Sequence, residues 1–299
     1  MPELSDSSDS PVGSGPLRLR VRHLTRYDYH GPVTDSYNDL RLCPVTDGLQ
    51  RCVSFRLEVA PVTVVSTYMD FYLNRVDHFE LHDPHEFLSI EAHSVVETFP
   101  DPRGPVLGEF PVAMLDAPSV TENFFDFLTD SEYVSLDAEL WREAVDVLPG
   151  GVSDLWRDAV RLGEHVNGTF LYDPLSTHAG TRMRDALRDR RGVCQDFAHV
   201  LLALCRCQGI PARYVSGYFF NEQREEGAVE ASHAWVEVFL PGFGWKGYDP
   251  THRREADTRY VRLAAGRDYA DIRPVSGTFR GRGTRELFVD ASIELHREE

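Results

Sequence analysis

The chain has 299 residues, 42% of them hydrophobic and 26% charged, with 48 acidic against 31 basic side chains and a formal net charge of −17 at pH 7. That length suits about two domains, and that composition suits packed cores rather than disorder. The acidic balance argues against a nucleic-acid or anionic-membrane partner, and no apolar run reaches the length of a transmembrane helix.

The N-terminus, MPELSDSSDSPVGSGP, is polar and acidic and lacks the basic and apolar regions of a secretory signal. Residues 1–15 are expected to be a disordered tail, and the protein to be cytoplasmic. Strict alternation follows in LRLRVRHLTRYDY (17–29), with Leu17, Leu19 and Val21 on one face and Arg18, Arg20 and Arg22 on the other. This is the pattern of a half-buried strand. VSFRLEVAPVTVV (53–65) begins the same way, and FLSIEAHSVVETF (87–99) repeats it with Leu88, Ile90, Ala92 and Val96. Residues 16–110 therefore read as an antiparallel β domain. The Pro- and Gly-rich stretch FPDPRGPVLGEFP (99–111) marks its end.

Helical periodicity then takes over. SLDAELWREAVDVL (135–148) offers Ser135 as an N-cap, and Pro149-Gly150-Gly151 stops the helix. SDLWRDAVRLGEHV (153–166) offers Ser153 as a cap and places Leu155, Trp156, Ala159, Val160 and Val166 on one face. A third helical stretch lies near 180–190, and a fourth, apolar nearly all round, covers 196–208. After Gly209-Ile210-Pro211 come strand-like segments at 212–220, 233–239 and 245–251. Helices followed by strands give an α+β unit over 111–299.

Five cysteines, Cys43, Cys52, Cys194, Cys205 and Cys207, match neither a disulfide framework nor a zinc module in their spacing. Within one helix Cys205 and Cys207 point to different sides, and Cys194 lies roughly 16 Å along the axis from Cys205, so none of these can pair. Free thiols suit a reducing compartment.

Cys194 carries the functional question. In RGVCQDFAH (191–199), Gly192 permits a tight turn and Cys194 sits at the start of the buried helix. A helix N-terminus favours thiolate over thiol, and its free N–H groups, that of Cys194 included, suit an oxyanion. A buried free cysteine is equally at home as a small apolar side chain, so catalysis requires a base. His199, five helical positions on, is turned about 140° away and reads as a packed histidine. His233, Trp235, Glu237 and Phe239 share a strand face. If Phe239 pairs with Trp245 around the turn LPGFG, Trp235 lies opposite Asp249 and His233 is its diagonal neighbour. A slip of one residue would send Asp249 to the other face. With that register, thiol, imidazole and carboxylate form a nucleophile, a base and its orienter.

GVCQDFAH, GIPARYVSGY and ASHAWVEVFLPGFGWKGYDPT together resemble the core of the bacterial transglutaminase-like superfamily, a branch of the papain-like thiol enzymes. The similarity runs over about 155–275. RVRHLTRYDYHGPV and DPHEFLSIEAHSVV are similar to the β domain that precedes this core in the bacterial proteins. The resemblance implies an α+β fold, a papain-like transglutaminase core preceded by an antiparallel β domain. It implies Cys194 as nucleophile, His233 as base and acid, and Asp249 as orienter. It also implies Gln195 and Trp235 as cleft residues, with Tyr172 a further wall, although core packing explains Trp235 and Tyr172 as well.

The expected reaction is attack on a peptide or amide carbonyl through a thioester, with water as acceptor and no cofactor. Amine transfer is the alternative. A peptide or protein substrate is the expected partner. Two other readings remain: a non-catalytic peptide-binding module, and a metal protein using His78, His82 and His85 of HFELHDPH, where Glu80 shares a strand face with His78 and His82. The second is better explained as a histidine-bearing edge or turn. No phosphate-binding GxxxxGK[ST] loop occurs.

Overall fold

A computed structural model describes residues 15–115, 122–174, 183–221, 232–281 and 284–296. The expected tail thus lies outside the described residues, Gly15 excepted. The N-terminal strands are β1 (Leu17–Leu40), β2 (Gln50–Ala60), β3 (Val65–Met69), β4 (Arg75–Leu81) and β5 (His85–Thr98). Then come α1 (Ala138–Val147), α2 (Leu155–Thr169), β6 (Leu171–Tyr172), α3 (Met183–Asp189), β7 (Arg191–Gly192) and α4 (Cys194–Cys207). The chain ends with β8 (Ala212–Phe219), β9 (His233–Leu240), β10 (Gly244–Asp249), β11 (Arg254–Glu255), β12 (Tyr260–Gly266), β13 (Val275–Arg280) and β14 (Arg285–Leu295).

The alternation read at 17–29 is the first half of a much longer strand. Leu19 and Val21 are buried at 0% and 2% exposure, and the intervening arginines pair with Glu97, Glu294 and Glu91. Bulges between Asp28 and Val33 and between Thr34 and Tyr37 let β1 change course, helped by Gly31 at φ 118°. Its first half is flanked by β5 and β14, its second by β4 and β13. The alternation that begins at 53 lies in β2, which stops at Ala60 before Pro61, a residue with no N–H to give to a ladder, and β3 starts at Val65.

The C-terminal strands alter the domain picture. Strand pairing places 275–280 and 285–295 in the sheet of 17–98, so a division at residue 110 does not follow the hydrogen bonds. Such long-range edge filling leaves no trace in local periodicity. The second sheet, ordered β11-β10-β9-β8-β12, is antiparallel throughout. Helix α4 packs on it through Ala234, Val236, Val238, Ala212 and Tyr214, which belong with the helices to the largest apolar core. A smaller cluster of Leu19, Val21, Val96, Tyr218, Val261 and Leu263 joins the two sheets, and Tyr218 Oη bonds to His23 Nδ1 across it at 2.9 Å.

Two helix starts differ from the sequence reading. Asp137, not Ser135, caps α1 by accepting from Glu139 N and Leu140 N, each at 3.0 Å. Asp154, not Ser153, caps α2 by accepting from Arg157 N at 2.8 Å. In both cases a charged acceptor stands closer to the helix than the serine and makes the stronger bond. No helix among the described residues is long and apolar enough to cross a membrane.

Candidate active site

Cys194 is the first residue of α4, which begins two residues earlier than the periodicity suggested. Val193 is extended there (φ −103°, ψ −179°), and its N–H donates to the Asp196 carboxylate at 2.8 Å. Gly192 is small for a reason other than the expected turn: a Cβ on it would overlap the Asp196 side chain. The left-handed residue of the turn is Arg190, at φ 49°. Cys194 is partly exposed; its Sγ lies 4.0 Å from the carbonyl oxygen of Ser232, the residue before His233, close enough to influence the His233 ring.

His233 opens β9, 6% exposed. β9 and β10 pair with Trp245 opposite Phe239 and Tyr248 opposite Val236, the register expected from the turn. It sets Asp249 against Trp235 and brings His233 Nε2 to 2.7 Å from Asp249 Oδ2. With Nε2–H on the carboxylate, Nδ1 is the ring atom left for Cys194.

Asp249 is fully buried. Its Oδ2 also accepts from His252 Nδ1 and Tyr260 Oη, both at 2.8 Å, and its Oδ1 from Thr251 N at 2.8 Å and His252 N at 3.2 Å. These bonds fix the carboxylate's orientation. Burial alone would lower the His233 pKa, but the Asp249 carboxylate outweighs it, joined by the neighbouring Cys194, and raises it to about 10. For Asp249 burial acts upward, and the bonds and charges of His233 and His252 hold the carboxyl well below the usual carboxylate range.

His252 and Tyr260 are members of this cluster that the sequence reading missed. His252 follows Asp249 in a turn closed by the carboxylate, a pattern visible in DPTH. Tyr260 comes from β12 and gave no local signal. Trp235 is 2% exposed; its ring is near-parallel to that of His233, 6.3 Å between centroids, and its buried indole N–H has no partner among the described residues. Gln195 is partly buried beside the thiol. Tyr172 is 52% exposed in β6, which pairs with β7, and its ring lies 6.4 Å from Phe197.

The other thiols and histidines are apart from this group. His199 is fully buried, accepts from Tyr269 N at 3.2 Å and stacks on Tyr133. Burial pushes the Cys205 and Cys207 thiols up to about 12 and about 11. His78 bonds to Asp39 and Glu80, His82 to Asp35 and Glu80, and His85 to Asp83 O, so two of the rings share the Glu80 carboxylate while the third turns to the backbone. Among the described residues, the group whose ligand atoms gather within 4.8 Å is His233, Asp249 and His252, and their contacts are direct hydrogen bonds. A cavity of about 670 Å³ between the sheets is lined by Trp235, Glu237, Lys246, Tyr260 and Arg262 and lies on the sheet face opposite α4. Cys194 does not line it, so the thiol, rather than this cavity, locates the site.

A model of the bacterial transglutaminase-like N-terminal region matches residues 19–97, and one of the transglutaminase-like superfamily matches 145–250. An uncharacterized protein of Mycobacterium leprae is 34% identical over 283 residues, 94% of this chain and 99% of that protein. A stretch of 69 residues, 21% of this chain, is 38% identical to part of a protein-glutamine gamma-glutamyltransferase of Pseudomonas aeruginosa, covering 10% of the latter. Among solved structures, one named "putative cysteine protease" from Cytophaga hutchinsonii superposes with a TM-score of 0.75 at 22% identity, over 96% of this chain and 93% of that one. The last likeness shows a shared fold.

Proposed function

Because the chain belongs to the transglutaminase-like superfamily and carries that family's bacterial N-terminal region, we propose that it is a thiol enzyme that cleaves a peptide or amide bond through a Cys194–His233–Asp249 triad. The observation that carries this reading is the placement of His233, buried between a fully buried carboxylate and a partly exposed thiol at a helix start. Proton transfer from Sγ to Nδ1 creates the nucleophile. Sulfur attacks the carbonyl carbon, and the oxyanion is met by N–H groups at the start of α4, that of Cys194 first. His233 returns its proton to the leaving amine, a thioester remains, and His233 then deprotonates the water that hydrolyses it. Asp249 holds the Nε2–H tautomer throughout. Gln195 lines the cleft beside the thiol, Tyr172 forms an outer wall, Trp235 backs the imidazole, and the first sheet supports or guides a peptide substrate.

A second reading, transfer of the acyl group to an amine, is favoured by the likeness to the Pseudomonas glutamyltransferase segment. Both chemistries share the thioester, and the fold serves either. The deciding experiment incubates the protein with a glutamine-bearing protein and a fluorescent primary amine, following bond cleavage, ammonia release and amine incorporation together. Cleavage or deamidation without incorporation is the expected result, lost in Cys194→Ala and His233→Ala. Incorporation establishes the transferase. If iodoacetamide at pH 5.5 does not label Cys194 ahead of the four other cysteines, or His233→Ala leaves its rate unchanged, the triad reading fails and the binding-module reading replaces it.

A further inference from the structure

We propose that β3 is a docking edge for a second copy of this chain: two β3 strands pair antiparallel about a two-fold axis at Thr67 and join two sheets into one. An edge strand presents a row of unpaired backbone N–H and C=O groups, and natural proteins guard such edges with charge, proline or bulges. β3 ends the first sheet beyond β4, and all five of its residues, Val65–Met69, are exposed. It holds no charge and no proline, and it pairs with β4 in unbroken register. Two other outer strands of that sheet are guarded. β2 carries the Arg56–Glu58 pair and a bulge between Cys52 and Ser54. β14 carries Glu286, Asp290 and Glu294.

The apolar surface extends past the strand at both ends. Val62, Val64 and Val65 precede Thr67, and Met69, Phe71 and Leu73 follow it. All six are exposed, Val62 at 93% and Phe71 at 82%, and Tyr68 joins them. Together these side chains present several hundred Å² per copy, comparable with the roughly 800 Å² per partner of a standard interface.

The order of these residues selects a second copy as the occupant. A two-fold contact requires a patch that matches itself, and here the apolar residues divide evenly about Thr67. Rotation about that residue sets Val65 opposite the partner's Met69, Ser66 opposite the partner's Tyr68, and Val62 and Val64 beside the turn that bears the partner's Phe71. Each outward N–H and C=O of β3 gains a partner, as when an extended peptide adds to a sheet. No like charges meet along the seam, which matters for two chains of net charge −17 each. The charges of the adjacent β4 are already closed: Arg75 pairs with Asp77 at 2.9 Å, and Asp77 accepts from Thr67 Oγ1 at 2.6 Å.

Sedimentation equilibrium of the full chain from about 1 to about 200 µM should show a monomer–dimer equilibrium, with amide exchange along β3 slowing as concentration rises. The two-fold repeats the contact between residues 65 and 69, so Val65→Lys should weaken the dimer about ten-fold. Adding Met69→Glu sets the new lysine of each copy against the new glutamate of the other, and most of the affinity should return. Adding Met69→Lys instead should leave monomers. Within one chain the two positions lie roughly 13 Å apart along the strand, too far for the new pair to act alone. Both side chains are exposed, and urea unfolding of each variant at low concentration checks that the monomer folds as the wild type does. A wild type that stays monomeric at about 200 µM overturns the proposal and leaves an extended segment of another protein as the occupant. A dimer indifferent to Val65→Lys, or one that Met69→Glu does not restore, has its contact elsewhere and overturns it as well.

Discussion

Replacing Asp249 with Asn tests the centre of the site, because it removes a charge while keeping a shape. Oδ1 of Asp249 faces two backbone N–H groups, and Oδ2 faces His233, His252 and Tyr260. An Asn amide has one oxygen, which the immovable backbone donors claim. Its NH2 then points at the three side chains. His233 Nε2 must become an acceptor, which moves the ring proton to Nδ1 and leaves no base for Cys194. The imidazole's pKa, raised from 6.5 to about 10 in the wild type, loses its main upward influence and is left to burial, which lowers it. That rise is worth about 5 kcal/mol at 1.36 kcal/mol per pK unit. A raised histidine stabilises the fold fully below 6.5 and loses that contribution as pH climbs through about 10. The stability gap between wild type and Asp249→Asn should therefore narrow from pH 6.5 to 10. The assay is an NMR titration of isotope-labelled histidine, with chemical unfolding at matched pH. The wild-type His233 ring should remain protonated at pH 8 and the variant ring should be neutral there. A wild-type ring that titrates near 6.5, or a titration that Asp249→Asn does not move, refutes the reasoning.

Other changes probe the supports. Gly192→Ala puts a methyl group into the Asp196 side chain that holds the start of α4; it should cost about 1–3 kcal/mol in urea unfolding and slow Cys194 alkylation as well. His252→Ala removes one of the donors on Asp249, from a side chain 36% exposed; a loss of about 1 kcal/mol, with Cys194 alkylation retained, is the expected outcome. Glu143 is paired with Arg190 and His165, which overcome the upward effect of burial and hold its carboxyl at about 2. That contribution is present above about 4.5 and disappears as pH falls through about 2. Glu143→Gln should cost on the order of 2 kcal/mol at pH 7, discounted for the partly exposed Arg190, and the difference should vanish in acid unfolding at pH 2.

Much of the site was legible because it rests on local rules. The existence of α4 follows from its apolar run, although it starts two residues earlier than that run suggested, and the meeting of His233 with Asp249 follows from a short hairpin and its two-residue alternation. Both depend on neighbours in the chain, where sequence pattern constrains geometry. The strands at 17–29 and 87–99 were readable for the same reason. The helix caps were misplaced by one or two residues because Ser and Asp stand within two residues of each other and only the folded backbone selects between them.

Tertiary structure alone decided the remainder. That Cys194 meets His233 depends on α4 lying across β9, a packing fixed by Ala234, Val236 and Val238 against the helix. Tyr260 reaches Asp249 from a strand at the far edge of the sheet, and β13 and β14 return to pair with β1 over most of the chain's length. Periodicity records which face of an element is apolar. Which surface covers that face, and which distant side chain arrives with it, is settled only when the whole chain competes for the same buried space.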